Sequence, residues 1–200
     1  MAQTETIDSR TALLDAAERL LIKRGHAALS VRVVATEAGV NHGLVRYYFG
    51  TLDGLLLEAF RQFTEQLFER QRELYARDVP FIEKWREAMG YLEETDRDTG
   101  YSKLWLEMQA MSWNRPEIQE QLHEINRGWR TILTAAFAEA MEDYGVDTDE
   151  FPVRAIVTLV TTFNLGIQLE AVGGMTDGHR ELLDMIDRML VGLEERKAQS

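Results

Sequence analysis

The sequence has no cysteine, and its 200 residues include only three prolines, Pro80, Pro116 and Pro152. The absence of cysteine excludes disulfides, thiolate metal ligands and thiol nucleophiles together. The wide spacing of the prolines leaves long stretches free to be helical, and each proline can mark the start of a helix. We therefore expect long helices and no covalent cross-links.

A membrane-spanning or secreted segment is not expected either. The longest uncharged apolar-rich run covers the 15 residues 155–169 and includes threonine, asparagine and glutamine, so it is too short and too polar for a membrane span. The first residues carry acidic side chains and lack the apolar core of a secretory signal. The expected location is the cytoplasm, with no membrane partner.

The net charge of −12 argues at first against a nucleic-acid partner. Its distribution weakens that objection, because residues 1–60 contain six Lys or Arg and seven Asp or Glu, whereas residues 61–200 contain sixteen and twenty-seven. The acidity therefore lies in the C-terminal part of the chain. A near-neutral N-terminal segment ahead of an acidic body is compatible with DNA binding that is readily reversed.

Almost every segment shows helical periodicity and none shows strand alternation, so the predicted fold is all-α. Good N-cap residues precede three of the predicted helices, namely Ser30, Asn41 and Thr51. The predicted helices lie near 11–24, 31–38, 41–49, 51–76, 81–95, 101–113, 116–144, 151–173 and 178–197.

The stretch from Val31 to Gly50 has the features of a helix-turn-helix. Such a motif needs a small residue where its two helices cross closely, here Ala35, and a turn residue that tolerates positive φ, here Gly39. Apolar side chains fall at the offsets that join the two helices: Val34, Ala38, Val40, Val45 and Tyr48. On a helical wheel, four residues lie off the apolar face of the second helix: His42, Gly43, Arg46 and Tyr47. This exposed set can contact base edges and phosphates in a major groove.

The residues around this stretch carry a family resemblance. The motifs are Arg10-x-x-Leu13-x-x-Ala16-Ala17, Gly25, Leu29-Ser30-Val31, Ala38-Gly39-Val40-Asn41-x-Gly43 and Tyr47-Tyr48-Phe49-Gly50-Thr51. They resemble the TetR family of bacterial regulators. The resemblance implies a three-helix DNA-binding domain over 1–50 and a helical effector-binding and dimerisation domain over 51–200. It also implies a joining fourth helix and dimerisation through the last two long helices.

The resemblance also assigns DNA contacts by position. Val31 and Arg32 would approach the backbone, and His42, Gly43 and Leu44 would face base edges, with Asn41 and Tyr47 beside them. Arg46 and Tyr48 would contact phosphate or base, and Thr51 would meet a phosphate at a helix N-terminus. The chain departs from the family pattern at Leu52, where a lysine is common, and at Arg46, where an aromatic residue is more common.

Large, adaptable side chains are frequent in the C-terminal part. Six of them suit a pocket for an apolar or aromatic effector: Trp85, Met89, Trp105, Met108, Met111 and Phe137. Asn164 and Gln168 could supply polar anchors in such a pocket. Ordinary core packing explains the same residues one by one, so both interpretations stay open.

The last two predicted helices are apolar over broad faces. We expect them to pair with their copies in a homodimer through Leu159, Phe163, Leu182, Leu183, Ile186 and Met189. The alternative is that both helices lie inside the core of one monomer.

No catalytic arrangement is recognisable. Glu120-x-x-His123 has the spacing of a di-iron ligand pair, but a second such pair is missing, so we expect no metal, no cofactor and no enzyme activity. The expected function is a transcriptional repressor that binds double-stranded operator DNA as a dimer and is released by a small, largely apolar effector. The alternatives are a helical ligand-binding module without specific DNA binding and a helical-bundle enzyme.

Overall fold

A computed structural model of the chain describes the backbone of residues 2–199 and the side chains of residues 9–91 and 100–199. Within that backbone there are nine α-helices, one 3₁₀ turn and no strand, so the all-α prediction is confirmed. The helices are α1 (Ala2–Arg24), α2 (Val31–Glu37), α3 (Gly43–Phe49), α4 (Leu52–Tyr75), α5 (Phe81–Thr99), α6 (Tyr101–Ser112), α7 (Pro116–Asp143), α8 (Val153–Val172) and α9 (His179–Lys197); the 3₁₀ turn covers His26–Ala28.

The helix ends follow local sequence signals. Helix α7 begins at Pro116, which has no N–H to leave unpaired in the first turn. Two helices are longer than predicted, since α1 begins before residue 11 and α5 continues through the predicted break at 96–100. Helix α5 ends where Gly100 adopts a φ of +68°, a left-handed conformation that an α-helix cannot continue.

The chain forms two compact units, and the first contains the chain up to Leu67 together with Thr99–Ile125. It therefore includes α1, α2, α3, α6 and the first parts of α4 and α7. Apolar faces of these helices form its core, with the buried side chains Leu13, Leu21, Val34, Val45, Leu55, Phe60, Leu104 and Met108. Helices α2 and α3 have seven residues each and are too short to persist alone, so they depend on this core.

The second unit contains Phe68–Asp98 and the chain from Asn126 onward. Its central cluster consists of Leu74, Tyr75, Phe81, Trp85, Ala88, Ala136, Phe137, Ala140 and Val157. Helix α9 is attached to α5 by Arg86, whose guanidinium donates to both oxygens of Asp187 at 2.6 and 2.8 Å. The Tyr144 hydroxyl donates to Glu194 at 2.6 Å and so attaches α9 to α7.

Helix α8 leaves most of its apolar surface uncovered. It spans 20 residues, its most apolar window has a mean hydropathy of 1.5, and only Val157 is buried. By length and composition α8 is sufficient to cross a membrane, so the expectation that this segment is too short and too polar is wrong. The helix extends beyond the uncharged run because charged residues at its ends, Arg154 and Glu170, are also helical. A helix with so much exposed apolar surface requires another apolar surface to cover it.

Candidate functional site

The turn between α2 and α3 is built from backbone hydrogen bonds and two local side-chain bonds. Ser30 Oγ accepts from the Val33 N–H at 3.3 Å and caps α2. Gly39 takes a φ of +68°, and the next N–H, of Val40, donates to the Ala35 carbonyl at 3.0 Å. Asn41 Oδ1 then accepts from the Gly43 N–H at 2.8 Å in an Asx turn; the N-cap residue of α3 is His42, without a side-chain cap, so the prediction that Asn41 caps this helix is wrong by one residue. These bonds produce the helix-turn-helix that the spacing of Ala35 and Gly39 predicts.

The apolar residues of this segment fix α3 against the first unit. Val34, Ala35 and Val45 are fully or almost fully buried. Helix α1 packs against both α2 and α3. With Val45 turned inward, the opposite side of α3 is directed outward because residues three to four apart share a helix face.

The outward side carries most of the predicted DNA contacts. Six of the predicted residues are exposed: Arg32, Asn41, His42, Gly43, Arg46 and Tyr47. The Tyr47 ring is 75% exposed, which is unusual for a large aromatic side chain. Among the described side chains, neither Arg32 nor Arg46 has an ion-pair partner, and the one acid of α2, Glu37, lies 3.8 Å from Arg19 of α1. The face therefore has a local excess of positive charge.

Three other predicted DNA contacts are half-buried, namely Val31, Leu44 and Tyr48. The Tyr48 ring packs edge-on against Tyr47 at 4.9 Å and against Phe49 at 6.1 Å between centroids. Arg10 lies 5.4 Å above the Phe49 ring. Tyr48 therefore has a packing role within the motif, whatever it contacts outside.

Thr51 is exposed at the start of α4, as the predicted phosphate contact requires. Its Oγ1 accepts from the Gly54 N–H at 3.0 Å and caps the helix. A Cβ at Gly54 would collide with the Phe49 carbonyl oxygen, so glycine is required for this close approach. Leu52, which replaces the lysine common in the family, is half-buried.

The predicted effector residues of the first unit are Trp105, Met108 and Met111, all buried on α6. The Trp105 ring is 5.5 Å from that of Phe60 and 6.4 Å from that of Tyr101. Tyr101 stacks in turn on Phe63 at 5.3 Å. A continuous aromatic group thus joins α4 to α6.

In the second unit the structure brings Trp85, Met89 and Phe137 together in the central cluster, with the Trp85 and Phe137 rings 6.3 Å apart. Gln168 Nε2 donates to Asn164 Oδ1 at 2.8 Å, and both side chains are half-buried on α8. This bond leaves the Asn164 amide nitrogen and the Gln168 carbonyl oxygen as groups that can face a ligand.

Sequence reasoning missed Lys84, a lysine that is only 6% exposed. Its Nζ donates to the Tyr75 carbonyl at 3.0 Å and so caps the C-terminal end of α4. Burial raises the pKa of the neighbouring Tyr75 hydroxyl to about 12. The sequence contains a signal for the burial of Lys84, because Lys84 lies on the same helical face as the apolar residues Phe81 and Ala88.

The residues predicted for dimerisation divide into three pairs. Leu159 and Met189 are exposed, at 65% and 62%, whereas Phe163 and Ile186 pack against the central cluster of their own unit. Leu182 and Leu183 are half-buried. Other exposed apolar residues extend the uncovered surface: Leu165, Leu169, Val172, Met175 and Met185. We call Leu159, Leu165, Leu169, Met185 and Met189 the α8–α9 apolar face.

The candidate di-iron pair is a surface feature. Glu120 and His123 are both exposed on α7. Across the described side chains, no group of three or more His, Asp or Glu residues is placed to hold a metal ion.

Two family models match the chain. Residues 13–59 match the model described as bacterial regulatory proteins, tetR family. Residues 88–195 match the model described as the C-terminal part of BetI-type transcriptional repressors. The two matches cover the helix-turn-helix and most of the remaining helices.

Curated relatives and solved structures agree with these models. The regulator PksA of Bacillus subtilis is 27% identical over 126 residues, which are 62% of this chain and 62% of PksA. The regulator BetI of Burkholderia cenocepacia is 28% identical over 134 residues, 66% of this chain and 69% of BetI. These relatives are transcriptional regulators and not enzymes.

Two solved structures show the same fold. A putative regulator from Saccharomonospora viridis in complex with choline has a TM-score of 0.70 at 23% identity, covering 88% of this chain and 93% of that one. FadR of Bacillus subtilis in complex with stearoyl-CoA has a TM-score of 0.74 at 20% identity, covering 90% and 97%.

Proposed function

Because this chain belongs to the TetR family of bacterial regulatory proteins, we propose that it represses transcription by binding operator DNA through α2 and α3. The observation that carries the proposal is the outward face of α3. Arg46 and Tyr47 are exposed there, Arg32 is exposed on α2, and neither arginine has an ion-pair partner among the described side chains. Unpaired guanidinium groups on a helix that fits the major groove match base edges and phosphates.

The roles of the individual residues follow from their positions. Arg46 and Tyr47 contact base edges or nearby phosphates, and His42 and Gly43 approach the bases at the start of α3. Thr51 presents a capped helix N-terminus to a phosphate. Asn41 Oδ1 already accepts from the Gly43 N–H, and the amide nitrogen of Asn41 can donate to DNA.

The repressor acts as a homodimer in which the α8–α9 apolar faces of two copies cover each other. This pairing removes from water the exposed side chains that one copy leaves unpartnered. A two-fold dimer reads a near-palindromic operator, with half-site centres about 34–36 Å apart or a multiple of that distance. The apolar surface of α8 is then a protein interface, and the repressor works in the cytoplasm where its operator lies.

A small effector releases the operator by population shift. It must bind the form that does not fit DNA more tightly than the form that does, and DNA then weakens effector binding by the same factor. The candidate contacts form two separate sets, Trp105, Met108 and Met111 in the first unit and Trp85, Met89, Phe137, Asn164 and Gln168 in the second, and each set is proposed as an effector site within its own unit. Their apolar and aromatic surface suits a largely apolar effector with one polar group.

DNA binding is tested by selecting duplexes from a random pool with the full-length protein. We expect enrichment of a near-palindrome, bound by the wild type and much more weakly by the Arg32→Ala/Arg46→Ala double variant. A pool without any enriched sequence would contradict operator recognition. It would favour the alternative of a ligand-binding module without specific DNA binding.

Effector binding is tested by thermal shift with choline, stearoyl-CoA and a panel of aromatic and aliphatic compounds. A true effector stabilises the protein, by about 2.7 kcal/mol at a hundred times its Kd, and lowers operator affinity. Loss of both effects in Trp105→Ala or Asn164→Ala would support those contacts. Compounds that stabilise the protein without changing operator affinity would disprove the proposed sensing mechanism.

A further inference from the structure

The start of α4 carries a carboxylate close to the end that the proposed function directs at DNA. Asp53 is the second residue of α4 and follows the capping residue Thr51 by two positions. A negative side chain in the first turn stabilises a helix because it complements the helix dipole. The same charge would repel a phosphate that approaches this helix end.

The charge of Asp53 is balanced by a residue from a distant part of the sequence. Arg115 Nε lies 2.8 Å from Asp53 Oδ2, and both side chains are partly exposed. Both residues belong to the first unit. The Asp53 carboxylate is therefore half of an ion pair, two residues after the proposed phosphate contact at Thr51.

The backbone of Arg115 is held on both sides. Its N–H donates to the Ser112 carbonyl at 3.3 Å, and its own carbonyl accepts from the Gln119 N–H at 3.0 Å. Pro116 follows directly and has a restricted φ at the start of α7. These contacts fix the backbone position from which the Arg115 side chain extends.

Helix α6, which ends just before this turn, is in close contact with the region after α1. The Glu107 carboxylate accepts from the His26 backbone N–H at 3.1 Å and lies 2.6 Å from His26 Nδ1. At the start of α6, a Cβ on Gly100 would lie 2.8 Å from Ile22 Cγ2, so only glycine permits this approach. These contacts attach α6 to α1 and to the turn after it, and α1 in turn packs against α2 and α3.

We infer that Arg115 masks the charge of Asp53 and thereby allows an operator phosphate to approach the N-terminus of α4. Arg115 is thus a positioning residue for DNA binding that lies outside the helix-turn-helix. The inference rests on the proposed function. The inference goes beyond that function because it assigns part of the operator affinity to a residue at the junction of α6 and α7.

The test measures operator affinity by fluorescence anisotropy, with the selected duplex, between about 50 and 200 mM salt. We expect Arg115→Ala to raise the Kd about fivefold at low salt, because an unmasked carboxylate then faces the phosphate. The difference should shrink as salt rises, since salt screens the repulsion. Arg115→Ala/Asp53→Asn should return to within about twofold of the wild type, because no charge is left to mask.

Two controls separate this effect from a structural one. Arg77→Ala removes another arginine from an exposed ion pair, with Glu87 in the second unit, and should leave operator affinity unchanged. Thermal unfolding of every variant shows whether the fold is retained. Rescue by Asp53→Asn is the decisive readout, since a merely structural role of Arg115 would not be repaired by removing the carboxylate.

Three results would overturn the inference. Equal affinity of the wild type and Arg115→Ala overturns it and leaves the proposed function intact. A weak Arg115→Ala that Asp53→Asn does not rescue overturns it too, and assigns to Arg115 a direct phosphate contact or a structural role. A wild type that binds no selected duplex overturns the proposed function, and the inference with it.

Discussion

The outward face of α3 and the α8–α9 apolar face are both uncovered, but they differ in chemistry. The α3 face presents Arg46 and Tyr47, Arg32 is exposed on helix α2, and none of these three side chains has a polar partner among the described residues. The α8–α9 apolar face presents leucine and methionine side chains that cannot form strong hydrogen bonds. Cations without partners match a polyanion, and apolar side chains match another apolar surface. The two surfaces therefore match partners of opposite chemistry.

The two surfaces also depend on different kinds of support. Helices α2 and α3 are short, so their geometry comes from the Ser30 cap, from the turn at Asn41 and from buried Val34 and Val45. Helices α8 and α9 have 20 and 19 residues, and packing of their inner sides against the central cluster holds them. We therefore expect small polar changes to affect the first surface and larger apolar changes to affect the second.

The largest effect is expected when charge is placed on the apolar face. Leu159→Glu/Met189→Glu should weaken the dimer by a factor of roughly 100 or more, because two carboxylates would be buried without partners. Sedimentation velocity measures the association. Trp113→Glu is the matched control, since Trp113 is 76% exposed but lies in the first unit. A double variant that remains as dimeric as the wild type would remove this face from the interface.

The next effect concerns the α3 face. Arg46→Ala should cost about 1–3 kcal/mol of operator binding, with relaxed sequence preference if the contact is to a base. Lys23→Ala, which removes an exposed charge of the same unit from α1, should have little effect. Anisotropy titrations with the selected operator and a scrambled duplex measure both changes. Unchanged affinity of a folded Arg46→Ala protein would show that Arg46 makes no operator contact.

A smaller effect is expected at the cap of α2. Ser30→Ala removes the acceptor of the Val33 N–H and should cost about 1 kcal/mol of stability. Hydrogen exchange of the α2 amides, together with urea unfolding, measures the loss. Thr36→Ala, an exposed change inside the same helix, should not destabilise it, because alanine is the better helix former. Equal protection of α2 in Ser30→Ala and the wild type would contradict the cap.

The smallest effect is a dependence of stability on pH. Burial alone would raise the pKa of Glu107, but hydrogen bonds from the His26 side chain and backbone outweigh it, so the pKa lies below its usual value. Such a carboxyl contributes stability above its unfolded-state pKa of about 4.3 and loses the contribution as pH falls. Glu107→Gln should therefore reduce stability near pH 7 and have less effect near pH 4.

The pH experiment needs a control, and Glu117→Gln supplies an exposed glutamate at the start of α7. It should behave like the wild type at both pH values. If Glu107→Gln reduced stability equally at both pH values, the contribution of Glu107 would not depend on the ionisation of its carboxyl group.

Local patterns predicted the helices and the motif well because the relevant forces act within a few residues. The caps at Ser30 and Thr51, the positive φ at Gly39 and the inward direction of Val45 all follow from near neighbours. The predicted break at 96–100 is wrong, because α5 continues to Thr99 and its stop signal is Gly100, with a φ of +68°. The roles of the predicted DNA and effector contacts remain predictions.

The helices, the helix-turn-helix and the family could be predicted from the amino-acid sequence alone. Which apolar residues of α8 and α9 face inward depends on packing, since Phe163 and Ile186 pack against the central cluster while Leu159 and Met189 are exposed. The ion pair of Arg115 with Asp53 and the burial of Lys84 also depend on tertiary contacts. The physical reason is distance along the chain. Periodicity records that a helix has an apolar side, whereas the partner of that side comes from residues that only folding brings near.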